Sequence, residues 1–202
     1  MQEQYYERNL AHWHPTGRSI FLTWRLYGSL PQSFTNKLSN QNLKPGRQFL
    51  QFDRYLDEAS IGPLWLRDPQ IAESIVATLR EGANALNHYN IHAYAIMANH
   101  VHLLIEPRVP LSTIMNGIKG VTAKNANKLL NRTGKTFWQD ESFDHWTRDQ
   151  AEENKIRRYI ENNPVKARLV ANPEDWPWSS AKNVAQALLP VPASTPAAMK
   201  PR

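Results

Sequence analysis

His100 and His102 stand two apart in a stretch of branched apolar residues, Tyr94 to Pro107, flanked by Val101, Leu103 and Leu104. In a β-strand the side chains at i and i+2 leave the same face. The two imidazoles therefore point one way and Val101 points the other, into a core. Neutral imidazole nitrogen is a ligand for divalent cations, and a same-face pair spans the right distance for shared coordination. A pair of strand histidines is equally an ordinary core or surface feature satisfied by hydrogen bonds, and the H-x-H spacing alone leaves both readings open.

A second group of residues lies far along the chain. Tyr159 and Asn163 are four apart, so on a helix they share one face, with Arg158 beside them. Tyr159 reads first as a packing tyrosine between Ile156 and Ile160. A phenol, with a pKa of about 10, is a poor nucleophile at neutral pH. It becomes useful when the electrophile is a phosphodiester polarised by a metal.

The elements that must carry these residues follow from apolar spacing and chain breakers. Residues 19–27 are rich in β-branched and aromatic side chains and predict a first strand, with Arg25 leaving one face. Residues 30–44, rich in Pro, Ser, Asn and Gln, predict an exposed connection. Residues 46–59 predict a helix from Phe49, Phe52, Tyr55 and Leu56, stopped by Gly62-Pro63. Asp68 and Pro69 cap a longer helix whose apolar face holds Ile71, Ile75, Leu79 and Leu86. Strand 91–97 and a hairpin through Ala98-Asn99 then deliver the histidine strand. A second long helix covers 111–131, a last strand 143–147, and a third helix opens at Asp149 or Ala151 and stops at Pro164. The order βαββαβ predicts an α+β, ferredoxin-like antiparallel sheet, with helices on one face, the histidine strand central and an extra C-terminal helix. We expect residues 1–18 to be an arm, 19–182 a single domain, and 183–202 a disordered tail, its last sixteen residues holding four prolines.

Composition narrows the partners. The absence of cysteine excludes a disulfide framework and thiolate zinc sites, and no run approaches a membrane span, so a cytoplasmic protein without a membrane partner is expected. The net charge of +6 favours a polyanionic partner. Residues 108–139 hold no Asp or Glu but six basic residues: Arg108, Lys119, Lys124, Lys128, Arg132 and Lys135. These account for the whole net charge, because the other 18 basic residues balance the 18 acidic ones. Solvated helix faces normally mix signs, so an unmixed one suggests phosphate contacts. Lys119, Lys124 and Lys128, with Arg25, Arg157 and Arg158, are the candidate phosphate contacts, and Trp138 or Trp146 a candidate surface for stacking an unpaired base, though each reads first as core.

Four ordered motifs bring these pieces together: Met-Ala-Asn-His-Val-His-Leu-Leu, Phe-Trp-Gln-Asp-Glu-Ser-Phe-Asp-His-Trp, Arg-Tyr-Ile-Glu-Asn-Asn-Pro-Val-Lys-Ala and Trp-Pro-Trp-Ser-Ser. From about His12 to Ser180, with Phe-Leu-Thr-Trp-Arg-Leu at 21–26, the chain resembles the REP-associated tyrosine transposases. These are single-tyrosine transposases named for their histidine–hydrophobic–histidine (HUH) motif. Ala98 departs from the proline expected before Asn-His, which alters the turn rather than the ligands. The resemblance implies a metal-dependent enzyme that nicks and rejoins single-stranded DNA. His100 and His102 would hold Mg2+ or Mn2+, Asn163 would complete the metal site, and Tyr159 would form a 5′-phosphotyrosine. It also implies single-stranded and hairpin DNA as partners. A monomer is expected, a homodimer sharing helices being the alternative. A non-catalytic nucleic-acid binder on the same fold and a metal-dependent nuclease using water are the competing readings.

Overall fold

The computed structural model describes residues 17–39, 45–58 and 62–182, so most of the expected arm and all of the expected tail lie outside it. Four strands, β1 (Ile20–Leu26), β2 (Tyr89–Ile96), β3 (His100–Pro107) and β4 (Trp138–Trp146), form one antiparallel sheet in the order β2-β3-β1-β4. This is the ferredoxin-like order, and β3 is central in it. Five helices accompany the sheet: α1 (Gln32–Ser39), α2 (Pro45–Glu58), α3 (Pro69–Asn84), α4 (Leu111–Leu129) and α5 (Gln150–Lys166).

Strand alternation sorts the helices into two layers. Ile20, Leu22 and Trp24 of β1 and Val101, Leu103 and Ile105 of β3 pack on one face against Ile75 and Leu79 of α3 and Ile114 and Ile118 of α4. This is the main core, and it holds the two long helices expected on one face. The residues between them, including Phe21 and Leu104, face the other way and meet Phe49 of α2 and Ile160 of α5. His100 and His102 share that second face, paired across β1 with Arg25 and Thr23. The appended helix α5 therefore lies on the histidine side.

Local chemistry explains most of these elements. Asp68 accepts from the Gln70 amide at 2.8 Å with Pro69 next to it, which starts α3. Asp149 does the same for Glu152 at the start of α5. Three boundaries differ from expectation. Residues 32–39 form α1 rather than an open connection, because the Phe34 ring stacks on Tyr55 of α2, with 4.1 Å between centroids. Strand β4 begins at Trp138, five residues early. Its polar residues Gln139, Asp140 and Glu141 belong to a sheet edge and hide the strand pattern. Helix α5 continues past Pro164 to Lys166. It closes in a Schellman motif, with the Leu169 amide on the Pro164 carbonyl and the Arg168 amide on that of Val165, both at 2.9 Å.

The Trp-Pro-Trp-Ser-Ser segment covers the outer edge of β2. The Ile96 amide donates to the Trp178 carbonyl at 2.9 Å, and the Tyr94 amide donates to Ser180 Oγ at 3.1 Å. These bonds occupy strand groups that a bare edge would offer to another chain.

Candidate active site

The hairpin ending in Asn99 sets the first histidine. Asn99 Nδ2 donates to the Leu56 carbonyl at 3.3 Å, so its Oδ1 faces His100 Nδ1 at 2.8 Å. An acceptor there requires the proton on Nδ1 and leaves Nε2 as a lone pair. Thr23 Oγ1, directly across β1, holds His102 Nδ1 at 2.8 Å. The two Nε2 atoms lie 3.1 Å apart, and both rings are buried.

The third group comes from α2, where Asp53 is fully buried. Its Oδ1 lies 3.1 Å from His102 Nε2 and 3.6 Å from His100 Nε2. Its Oδ2 accepts from the Tyr159 hydroxyl and, at 3.3 Å, from Asn163 Nδ2. Asn163 Nδ2 also reaches His102 Nε2 at 3.2 Å. His100, His102, Asn163 and the Tyr159 hydroxyl thus converge on one volume, and Asp53 stands at its centre. The Tyr159 ring is fixed by Phe21 at 6.2 Å and Phe49 at 6.3 Å between centroids.

The charges around this point are few and buried. Burial, then the neighbouring His102, push His100 down to about 3, so it is the neutral imidazole that a metal requires. Burial opposes ionisation of Asp53, but attraction to His102, then to His100, outweighs it and holds the carboxyl below the usual carboxylate range. One turn on, burial and the charge of Asp53 raise Asp57 to about 7. Burial and the same charge raise the Tyr159 phenol, which therefore keeps its proton at rest. Lys166, at the end of α5, approaches Asp57 Oδ2 at 3.5 Å and Asp53 Oδ2 at 3.8 Å.

The residues fit a cation. Asp53, His100 and His102 each offer a ligand atom, all within 4.8 Å of one another. His100 Nε2, His102 Nε2 and Asp53 Oδ1 lie close enough for one divalent cation to meet all three. Asn163 adds an amide whose Oδ1 is buried without a hydrogen-bond partner. Two imidazoles with a carboxylate and an amide make a mixed nitrogen and oxygen donor set for a divalent cation.

The expected DNA contacts are not gathered there. Arg25 is buried, its guanidinium 3.4 Å from Ser29 Oγ and over the Phe52 ring. Lys119 donates to the Gln139 and Asp140 carbonyls of β4, both at 3.0 Å, and burial lowers it to about 8. Lys124 and Lys128 are exposed, but on α4, across the sheet from the histidines. Arg157 and Arg158 are exposed on α5, Arg157 pairing with Glu161 at 3.4 Å. Trp138 is core, its indole donating to Thr122 Oγ1 at 2.9 Å, and Trp146 packs against the same core. Asp53 and Asp57 escaped the sequence reading. Their one signal was an acid on an apolar helix stripe, Asp53 lying four residues from Phe49 and three from Leu56.

A ferredoxin-like sheet that sets a strand histidine pair, a buried acid and a helix tyrosine around one point defines a site able to hold a cation beside a phenol hydroxyl. Residues 65–163 match the family model described as IS200-like transposase. The match takes in His100, His102, Tyr159 and Asn163 but not α2. The fold is similar to that of a REP-associated tyrosine transposase solved with a REP hairpin. The TM-score is 0.54 at 19% identity, over 91% of this chain and 89% of that one. A Deinococcus radiodurans structure assigned as a transposase aligns at a TM-score of 0.35 and 16% identity, over 78% of this chain and 95% of that one. No curated protein matches the sequence significantly. Among the described residues, no helix is long and apolar enough to cross a membrane.

Proposed function

We propose that the protein is a metal-dependent transposase that nicks and rejoins single-stranded DNA through Tyr159. The observation that carries this reading is the shared carboxylate: one oxygen of Asp53 faces His100 and His102 while the other accepts from the Tyr159 hydroxyl. The match of residues 65–163 to the IS200-like transposases supports DNA as the substrate. The hairpin bound by the similar REP-associated enzyme supports a hairpin-forming target. Tyr159 reaches Asp53 of its own chain, which supports a monomer acting in cis.

His100, His102 and Asp53 would hold Mn2+ or Mg2+, with Asn163 beside them. The bound cation supplies Lewis-acid polarisation of the scissile phosphate. The protein does the rest. Tyr159 Oη bonds to phosphorus as the bond to the 3′-oxygen breaks, and the leaving oxygen takes the electron pair and then a proton from solvent. The phenolic proton passes to Asp53 Oδ2, which already accepts from it. Asn99 and Thr23 hold the imidazoles in place throughout. The products are a 5′-phosphotyrosine and a free 3′-hydroxyl, which can attack in reverse to rejoin the strand.

Labelled single-stranded hairpin DNA incubated with protein and Mn2+ is expected to give a denaturant-resistant adduct. That adduct is lost in Tyr159→Phe and when metal is removed. Cleavage that persists undiminished in Tyr159→Phe would favour the water-using nuclease. Binding without cleavage across metals and sequences would favour the non-catalytic binder.

A further inference from the structure

We propose that Lys166 is an exchangeable cation: it neutralises the Asp53–Asp57 pair until a divalent metal takes over Asp53, and then serves the DNA phosphate beside Tyr159. This rests on the metal-and-tyrosine reading above. Tyr159, Asn163 and Lys166 follow the i, i+4, i+7 spacing, so all three share one face of α5. Lys166 Nζ lies 3.5 Å from Asp57 Oδ2, 3.8 Å from Asp53 Oδ2 and 5.0 Å from the centre of the Tyr159 ring. These distances are long for hydrogen bonds, so the ammonium is held by charge rather than by fixed geometry.

Burial sets the terms of the exchange. The Asp53 and Asp57 side chains are 0% and 7% exposed, whereas that of Lys166 is 48% exposed. Two adjacent buried carboxylates need a positive partner. Lys166 is ion-paired to both of them. The partner therefore sits at the solvent end of the pair, on a flexible four-carbon stem.

The division of Asp53 produces the competition. Its Oδ1 faces the histidines, its Oδ2 faces Lys166, and a cation held through Oδ1 draws on the same negative charge. Each cation then weakens the hold of the other, and the coupling is reciprocal. Once released, the ammonium stays tethered two turns from Tyr159. It is then the charge on that helix face that an incoming phosphate meets.

The test uses the full-length chain, with Mn2+ alone as one probe and a labelled single-stranded hairpin oligonucleotide as the other. Calorimetry is expected to show Mn2+ binding roughly fivefold tighter in Lys166→Met, at the lower end of typical site couplings. With Mn2+ bound, the same variant should lose about 0.7 from the log–log salt slope of oligonucleotide binding, one phosphate contact's worth. Without Mn2+ its slope should equal that of the wild type, and Lys166→Arg should behave as wild type in every arm. A purely structural lysine would not tighten metal binding. Unchanged or weaker Mn2+ affinity in Lys166→Met, or an oligonucleotide effect independent of Mn2+, overturns the exchange while leaving the metal site standing. Failure of the wild-type protein to take up Mn2+ overturns both.

Discussion

Asp53 gives one oxygen to each half of the site, so its charge and its shape can be separated by experiment. Asp53→Asn keeps the shape and removes the charge that two imidazole Nε2 atoms face at 3.1 and 3.6 Å. We expect Mn2+ affinity, read by calorimetry, to fall by more than the roughly 10- to 100-fold that loss of a supporting group costs. Thr23→Val, which removes only the 2.8 Å tether on His102 Nδ1, should fall within that smaller range. Equal, small losses in the two variants would make Asp53 a packing acid. At this scale the sequence spoke unevenly. His100 with His102, and Tyr159 with Asn163, are legible because strand and helix periods put each pair on one face. Asp53 belongs to neither pair, and only the tertiary approach of α2 makes it a member of the site. Thr23 and Asn99 are short polar residues whose roles depend on cross-strand register and turn geometry, which spacing does not specify.

Helix α5 carries Tyr159, Asn163 and Lys166, so its first turn helps to hold the geometry at its other end. Glu152 there accepts from the Arg148 guanidinium at 2.8 Å and from the Arg148 amide at 2.8 Å, and lies 3.2 Å from His145. The hydrogen bonds from Arg148 lead in bringing its carboxyl down to about 2, against the opposing effect of burial. Because the folded value lies below the unfolded value of 4.5, this contribution is complete above about pH 4.5 and is lost as pH falls towards 2. Thermal melts should therefore show Glu152→Gln less stable than wild type at pH 6, with the gap closing as pH drops through that window. A gap that stays constant would assign the loss to packing rather than charge. The start of α5 was readable from Asp149 and the two glutamates that follow it, which suit the helix dipole. Its end was not, because proline usually stops a helix. The Schellman bonds from Arg168 and Leu169 carry the last turn past Pro164 and so place Lys166 beside the acids.

At the scale of the whole molecule the sheet separates two charged regions that look continuous in the sequence. The acid-free segment runs along α4, which packs on the face away from the histidines, while α5 brings Arg157 and Arg158 to the face that holds them. Lys119 is already committed to backbone carbonyls of β4, which leaves Lys124 and Lys128 as the exposed lysines of α4. A DNA that touches both regions must pass around an edge of the sheet, and the outer edge of β2 is occupied by the segment around Trp178. Strand β4 is the other edge, and Lys119 ties it to α4. We therefore expect Lys124→Gln with Lys128→Gln to weaken binding of a single-stranded hairpin oligonucleotide and to reduce the log–log salt slope by about 0.7 for each lost contact. The rate of adduct formation at saturating oligonucleotide should stay unchanged, since neither lysine approaches Tyr159. A lower rate at saturation would mean that α4 helps to position the scissile phosphate. An unchanged slope would confine the DNA to the α5 face, leaving the basic stripe of α4 as an ordinary solvated surface.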